Sequence, residues 1–303
     1  MMKRIRTALC LILAAALLVG CAFLPSESEP EALAPADPLT GHPLEWPGQR
    51  PVAVTIENST ASATQWGISS ASVVLEALTE AGMATELCLV YPALAATPKV
   101  GPVAAGQDIY WRLLVGQQPL PVQRGGGQFD QNYLDYYSIR AVDALEAGRT
   151  AFDCGSEWSN APLWYTSGSA VSKVLDALSI SAVLTESRVT SAASAAAASA
   201  SSGSDAVLTV PALLPQEEDG KLPDATAPDA VNVRVCFDDN NATSFAYDPD
   251  SGLYRMFHAD GTPQLDANNG QQAGFDNLLV LFSASALRDD GRTYDFDLSM
   301  GGG

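Results

Sequence analysis

The sequence predicts an α+β protein: a mixed, layered α/β N-terminal domain followed by a small antiparallel β domain. Three observations predict it. Between residues 50 and 186, period-two apolar runs alternate with runs at helical spacing. Thr190–Ser204 then uses only Thr, Ser, Ala and Gly, offering nothing larger than Ala to bury. From Ala230 onward the pattern is nearly all period two, broken by Asp-Gly and Asp-Pro turn signals. A hydrophobic content of 47% with 17% charged residues over 303 residues suffices for a real core.

The N-terminus has the layout of an export signal. Lys3, Arg4 and Arg6 precede an uncharged stretch, Ala8–Gly20, of 13 residues. That is shorter than the roughly 20 residues a membrane-crossing helix needs. Leu18-Val19-Gly20-Cys21 matches a lipobox, so Cys21 is expected to be the lipidated first residue of the mature chain, anchored in the bilayer at the extracytoplasmic face of the cell membrane. Removing residues 1–20 takes away three positive charges and no negative ones, moving the net charge from −19 to −22. Residues 21–49, rich in Glu, Pro and Ser, read as an acidic tether.

In the N-terminal domain (50–186), Val52, Val54 and Ile56 alternate in a strand over Arg50–Asn58. Val73, Val74, Ala77 and Leu78 predict a helix over Ser69–Ala81, with a serine N-cap and Gly82 as its stop. Thr85–Tyr91 and Leu120–Gln123 read as strands, Gln107–Val115 and Ser169–Leu178 as helices, and Asp130–Tyr137 as a short helical or irregular piece. Residues 187–229 read as a low-complexity linker. In the C-terminal domain (230–303), strands are expected over Val231–Phe237, Ser244–Tyr247, Leu253–Phe257, the strongly apolar Asn277–Phe282 and Tyr294–Leu298.

The charge balance excludes nucleic-acid binding through a basic face. With 2 His and 5 Cys, a zinc cluster is poorly supplied. Cys88 and Cys236 lie in apolar runs and read as small core hydrophobes, while any disulfide among Cys88, Cys154 and Cys236 is left open. Asp pairs near 238, 248 and 289 lack the alternating spacing of a Ca²⁺ loop, so no metal or cofactor is expected. Glu76 and Glu80 would share one face of the predicted helix, as a solvated face, a site wall or an acid pair. Arg124-Gly125-Gly126-Gly127 after a strand suggests a ligand-facing loop, although it lacks the P-loop lysine and spacing. Gln128, Asp130, Tyr133, Tyr136 and Tyr137 follow closely, and tyrosines with acids and amides make a sugar or peptide platform or ordinary amphipathic packing.

An ordered set of segments carries a resemblance: Pro38-Leu39-Thr40-Gly41, Arg50–Val54, Leu75–Gly82, Val100-Gly101-Pro102-Val103, Tyr165-Thr166-Ser167, Tyr247-Asp248, Tyr254-Arg255, Asp260-Gly261, Asp266 and Asn277. Their order resembles the YerB-like family of bacterial lipoproteins from Gram-positive lineages, which has a domain of unknown function and a separate C-terminal domain. The resemblance implies a three-layer N-terminal domain. It also marks departures: Ala104 and Gln107 or Asp108 stand where the family has Arg, while Leu163-Trp164 and Gln264 stand where it has His-containing motifs. Groups suited to anion binding or acid–base work are missing there. Family members continue through a closing hairpin where this sequence stops at Gly303, which implies a C-terminally truncated sheet.

The sequence therefore leans away from an enzyme. It suggests a lipoprotein that binds an envelope component or partner protein through Glu76, Glu80, Gly101, Pro102, Asp108, Arg124, Gly125, Gly126, Gln128 and Asp130. A carbohydrate or peptidoglycan hydrolase using Glu76 and Asp108 is the alternative, and a solute-binding lipoprotein the second.

Overall fold

The computed structural model describes residues 35–58, 65–155, 163–184, 210–213 and 229–298. The segment bearing Cys21 and most of the linker lie outside them. The remaining architecture belongs to one unit spanning Ala36–Gly303.

Strands β1 (Val52–Glu57), β2 (Val73–Ala77), β3 (Glu86–Tyr91), β4 (Leu120–Gln123) and β5 (Val142–Asp143) form one sheet in the order β2-β3-β1-β4-β5. β3 runs antiparallel to β1 and β2, whereas β1, β4 and β5 run parallel. Helices α1 (Asp108–Leu114), α2 (Gln128–Tyr136), α3 (Ala144–Ala147) and α4 (Gly168–Val171) surround it, with a ribbon of β6 (Asp153–Gly155) and β7 (Leu163–Tyr165). In the C-terminal part, β8 (Asn232–Cys236), β9 (Ala242–Asp248), β10 (Leu253–Phe257) and β11 (Gly274–Phe275) make an antiparallel sheet, followed by the hairpin β12 (Ser285–Leu287) and β13 (Tyr294–Phe296). The α+β class with an antiparallel C-terminal domain is the one the sequence predicts.

Three layers follow from how β1 and its neighbours are patterned. Val52, Val54 and Ile56 join Leu87, Leu89, Tyr91, Val122 and Val142 on one face, beneath Val171, Val174 and Leu175 and the C-terminal residues Phe245, Met256 and Ala273. Ala53, Cys88 and Val90 face the other way, under Ile109, Tyr110, Trp111 and Leu114 of α1 and Leu134 of α2. Both faces of β1 are thus covered, and apolar residues at successive positions are buried on alternate sides.

Several sequence expectations are corrected. Residues 69–81 are not a helix: a 3-10 turn, Ile68–Ser70, leads into β2. Val73 and Val74 are β-branched, and pairing with β3 along its whole length outweighs the weak helical periodicity. Ser69 does not cap a helix; its hydroxyl donates to Asp266 Oδ2 at 2.6 Å. Glu76 and Glu80 therefore share no helix face. The helix expected over 169–178 is one turn, α4, continued by turns to residue 179. Among the described residues Asn277–Phe282 forms no ladder strand, and Leu279, Leu281 and Phe282 are exposed. Cys236 is exposed as well, because Val233 and Val235 take the inward positions of β8 and leave it on the outer face. Residues 36–49, assigned to the tether, are already folded: Leu39 is buried, and Asp37 N donates to His42 O at 2.7 Å.

Gly168 marks the tightest backbone approach. A Cβ there would lie 1.7 Å from Leu94 O, in the 3-10 turn Leu94–Ala96. Gly168→Ala is expected to lower stability by about 1–3 kcal/mol, the usual range for overpacking, because a backbone carbonyl must move. Chemical denaturation of the variant checks this; an unchanged midpoint would show that α4 shifts freely.

Candidate functional site

A group of polar residues lies where the parallel strands end. β1 and β4 pair only over Val52–Val54 and Leu120–Val122. Beyond that point residues 103–106 fill the gap between them. Ala104 N donates to Thr55 O at 2.9 Å, and Ala104 O accepts from Thr55 Oγ1 at 3.0 Å and Arg124 N at 2.8 Å. Gly106 N donates to Gly125 O at 2.7 Å. The carboxyl edge of parallel strands is where α/β sheets usually bind ligands, although here residues 103–106 close the space between β1 and β4.

On the helix side of this edge lie Glu57, Glu86, Gln123, Asp130 and Asp143. Asp130 is 2% exposed; Trp111 Nε1 donates to its Oδ1 at 2.5 Å and Gln123 Nε2 to its Oδ2 at 3.0 Å. Burial pushes the Asp130 carboxyl up to about 6, against those two hydrogen bonds and with added repulsion from Asp108 and Asp143. Gly126 makes room for it, since a Cβ there would sit 1.9 Å from Asp130 Oδ2. Asp143 accepts from Gly125 N at 2.9 Å and caps α3 through Leu145 N at 2.8 Å. Arg124 reaches Glu57 at 3.7 Å.

Glu86 sits at the start of β3, opposite Glu57. Burial raises its pKa to about 7; hydrogen bonds from Thr79 and Gln107 oppose the rise, and Glu80 and Glu57 add to it. A carboxyl with a folded pKa above its unfolded value holds its proton more tightly in the native state. Stability is then fully present below about pH 4.5 and falls as pH rises toward 7. Asp130 adds the same sign between about 3.8 and 6. Melting temperature is expected to fall between pH 5 and pH 8, and Glu86→Gln is expected to flatten the profile. Thermal melts across that range decide it; a Gln variant with the parent's slope would remove Glu86 as the cause.

The structure brings Asp108, Arg124, Gly125, Gly126 and Asp130 to this edge, with Gln128 exposed at the first turn of α2. Asp108, at the start of α1, accepts two hydrogen bonds of 2.8 Å from Arg288, and Arg112 approaches at 3.6 Å. Gly101 and Pro102 lie along the end of β1, where Pro102 O accepts from Glu57 N at 2.9 Å and Gly101 O from Trp66 N at 2.8 Å. Glu80 pairs with Arg292 at 2.6 Å. Glu76 is on the opposite face of the sheet. Its Oε1 accepts from Thr85 (2.6 Å), Asn58 (3.0 Å) and Thr243 (2.7 Å), and burial raises its pKa despite those bonds.

Sequence reasoning missed Glu57, Glu86, Gln123 and Asp143. The one available signal was position: each is the polar residue at the end of an apolar strand that faces the sheet's carboxyl edge. It also missed Arg288 and the role of Asp266, whose partners are far away in sequence. No group of three or more His, Cys, Asp or Glu among the described residues is arranged to hold a metal ion.

Comparison with known proteins fits this arrangement. Residues 39–181 match the model described as "Protein of unknown function (DUF3048) N-terminal domain", and residues 232–303 match the corresponding C-terminal domain. The Bacillus subtilis (strain 168) protein named "Putative lipoprotein YerB" is 26% identical over 270 residues, covering 88% of this chain and 72% of that one. The crystal structure of Bacillus subtilis YerB superposes with a TM-score of 0.68 at 22% identity, covering 87% of this chain and 80% of that chain, a likeness of fold. With both domain models matched in order, and with a lipoprotein relative aligned along most of its length, this chain belongs to the YerB-like DUF3048 family.

Proposed function

We propose that the protein is a lipid-anchored, extracytoplasmic envelope protein with a binding or scaffold role and no catalytic turnover. One observation supports the non-enzymatic reading: the carboxylates that sequence reasoning singled out are spent on internal ties. Glu80 and Asp108 are bound to Arg292 and Arg288 from the C-terminal hairpin, and Glu76 accepts from Thr243 of β9. Asp130 is held by Trp111 and Gln123. A general acid or base must reach a substrate proton at hydrogen-bond distance, and these groups reach one another instead. A partner-facing rim remains at Arg124 and the exposed Gly126, Gly127 and Gln128.

Anchoring rests on the Leu18-Val19-Gly20-Cys21 pattern and on kinship with a protein named as a lipoprotein. Cells fed an alkyne fatty acid are expected to label the parent protein and not Cys21→Ala, which should shift to the soluble fraction. Equal labelling of both would overturn the anchor.

A further inference from the structure

Helix α2 begins at the glycine loop and ends in three contacting tyrosines. The ring centroids of Tyr133 and Tyr137 are 4.6 Å apart at 40°, and those of Tyr136 and Tyr137 are 4.9 Å apart at 75°. Tyr133 packs beside the core under the helices, so the cluster is braced from within. Outside, Tyr136 is 80% exposed and Tyr137 50%. Large aromatic side chains exposed together mark a recognition surface more often than chance placement.

The backbone beneath the rings is fixed. Tyr137 N donates to Tyr133 O at 3.1 Å, Ser138 takes the left-handed conformation with φ of 52°, and Ile139 N returns to Leu134 O at 2.8 Å. Tyrosine loses little conformational freedom on binding, and a closed helix end loses less still. Two surface pairs lie close by in the sequence: Gln131 Nε2 donates to Asp135 Oδ1 at 2.8 Å, and Arg140 pairs with Glu146 at 2.7 Å.

We propose that Tyr136 and Tyr137, braced by Tyr133, form a stacking platform for a neutral glycan strand. The two exposed rings meet near a right angle and make a shallow corner. A pyranose ring lays its C–H face on one ring and its edge against the other. An apolar peptide anchor needs an enclosing pocket. A net charge of −19 disfavours polyanionic polymers.

Full-length protein purified in detergent is to be sedimented with insoluble chitin and with peptidoglycan sacculi stripped of anionic polymers. Both glycans are expected to retain the parent. Tyr136→Ala/Tyr137→Ala is expected to lower the affinity by about tenfold or more, the scale of lost aromatic stacking. Tyr136→Phe/Tyr137→Phe, which keeps the rings, should stay within about threefold of the parent. Both pairs lie at the surface, and their melting temperatures should match the parent's. Three results would overturn the proposal: no retention of the parent on either glycan, equal retention of the Ala variant, or retention on sacculi without retention on chitin, which is neutral and carries no peptide. The last would point to a peptide partner. Because sedimentation of purified protein does not need the anchor, its failure is distinct from a failure of lipidation at Cys21.

Discussion

Asp266→Ala is expected to cost about 3–5 kcal/mol of stability, the range for removing one partner from a buried charged network. Asp266 is fully buried. Its Oδ1 accepts from Gly67 N at 3.0 Å and Asn268 N at 2.8 Å, and its Oδ2 from Ser69 N at 2.9 Å and Ser69 Oγ at 2.6 Å. Truncation removes the shared acceptor of all four donors, of which Gly67 N is buried and the rest are part-buried. Burial alone would raise the Asp266 pKa, but the hydrogen bonds from Ser69, Gly67 and Asn268 outweigh it and hold the carboxyl below its ordinary value. A depressed folded pKa stabilises above the unfolded value, about 3.9, and the gain is lost as pH falls through the folded pKa. The parent should therefore lose part of its stability below about pH 4, and Asp266→Ala should lack that loss. Urea denaturation at pH 7 and pH 3 measures both; a variant within about 1 kcal/mol of the parent at pH 7 would show that other contacts hold the Gly67–Ser69 turn.

The second large effect is expected at the Asp108–Arg288 pair. Both side chains are mostly buried, at 12% and 9% exposed, and they meet through two bonds of 2.8 Å. Arg288 also lies over the Phe129 ring at 4.3 Å and reaches Asp295 at 3.2 Å. Arg288→Ala leaves Asp108 with Arg112 alone and should cost about 2–4 kcal/mol. Part of that loss should be local. The β12–β13 hairpin is tied to the N-terminal sheet by this pair, by Arg112 with Asp295, and by Tyr294 N to Thr79 O at 3.0 Å. Hydrogen exchange over residues 285–296 should quicken before the rest of the molecule opens. A double-mutant cycle with Asp108→Ala is expected to return a coupling of about 2 kcal/mol. A coupling near zero would mean that the hairpin is held by its apolar contacts instead.

The parts of this fold that were legible in the sequence are those set by local pattern. Val52-Ala-Val-Thr-Ile56 read as a strand because its alternation matches the sheet period, and Gln107–Val115 as a helix because α1 carries its own periodicity. Ser69–Ala81 misread because Val73, Val74, Ala77 and Leu78 fall at helical spacing, whereas β2 is partly buried on both faces; what decides is β3, a partner that local spacing does not reveal. The alternation of Val233 and Val235 already implied that Cys236 points outward, but its apolar neighbours suggested burial. Asn277–Phe282 shows that an apolar run need not become a ladder strand: among the described residues it carries only a bridge at Phe282. At the candidate site, Arg124 to Asp130 stood out because a glycine loop after a strand is a contiguous signal. Glu86 and Gln123 did not, since their importance comes from adjacent strands ending at one edge. Asp266 was marked only by the family resemblance, with no sign of its partners, and Arg288 not at all, for the same reason at greater range.

The ties between the two halves also set a timetable. Asp266 and Gly67 are 199 positions apart, Arg288 and Asp108 180, and Thr243 and Glu76 167. A chain that emerges N-terminus first must deliver 199 further residues between exposing Gly67 and supplying the carboxylate that holds it. Over that interval β2, the edge of the first sheet, has β3 on one side and neither the β12–β13 hairpin nor the C-terminal layer beside it. The nascent protein is thus most open to mispairing along β2, and a chaperone that shields that strand until Arg288 and Tyr294 have emerged would protect the molecule at its weakest moment.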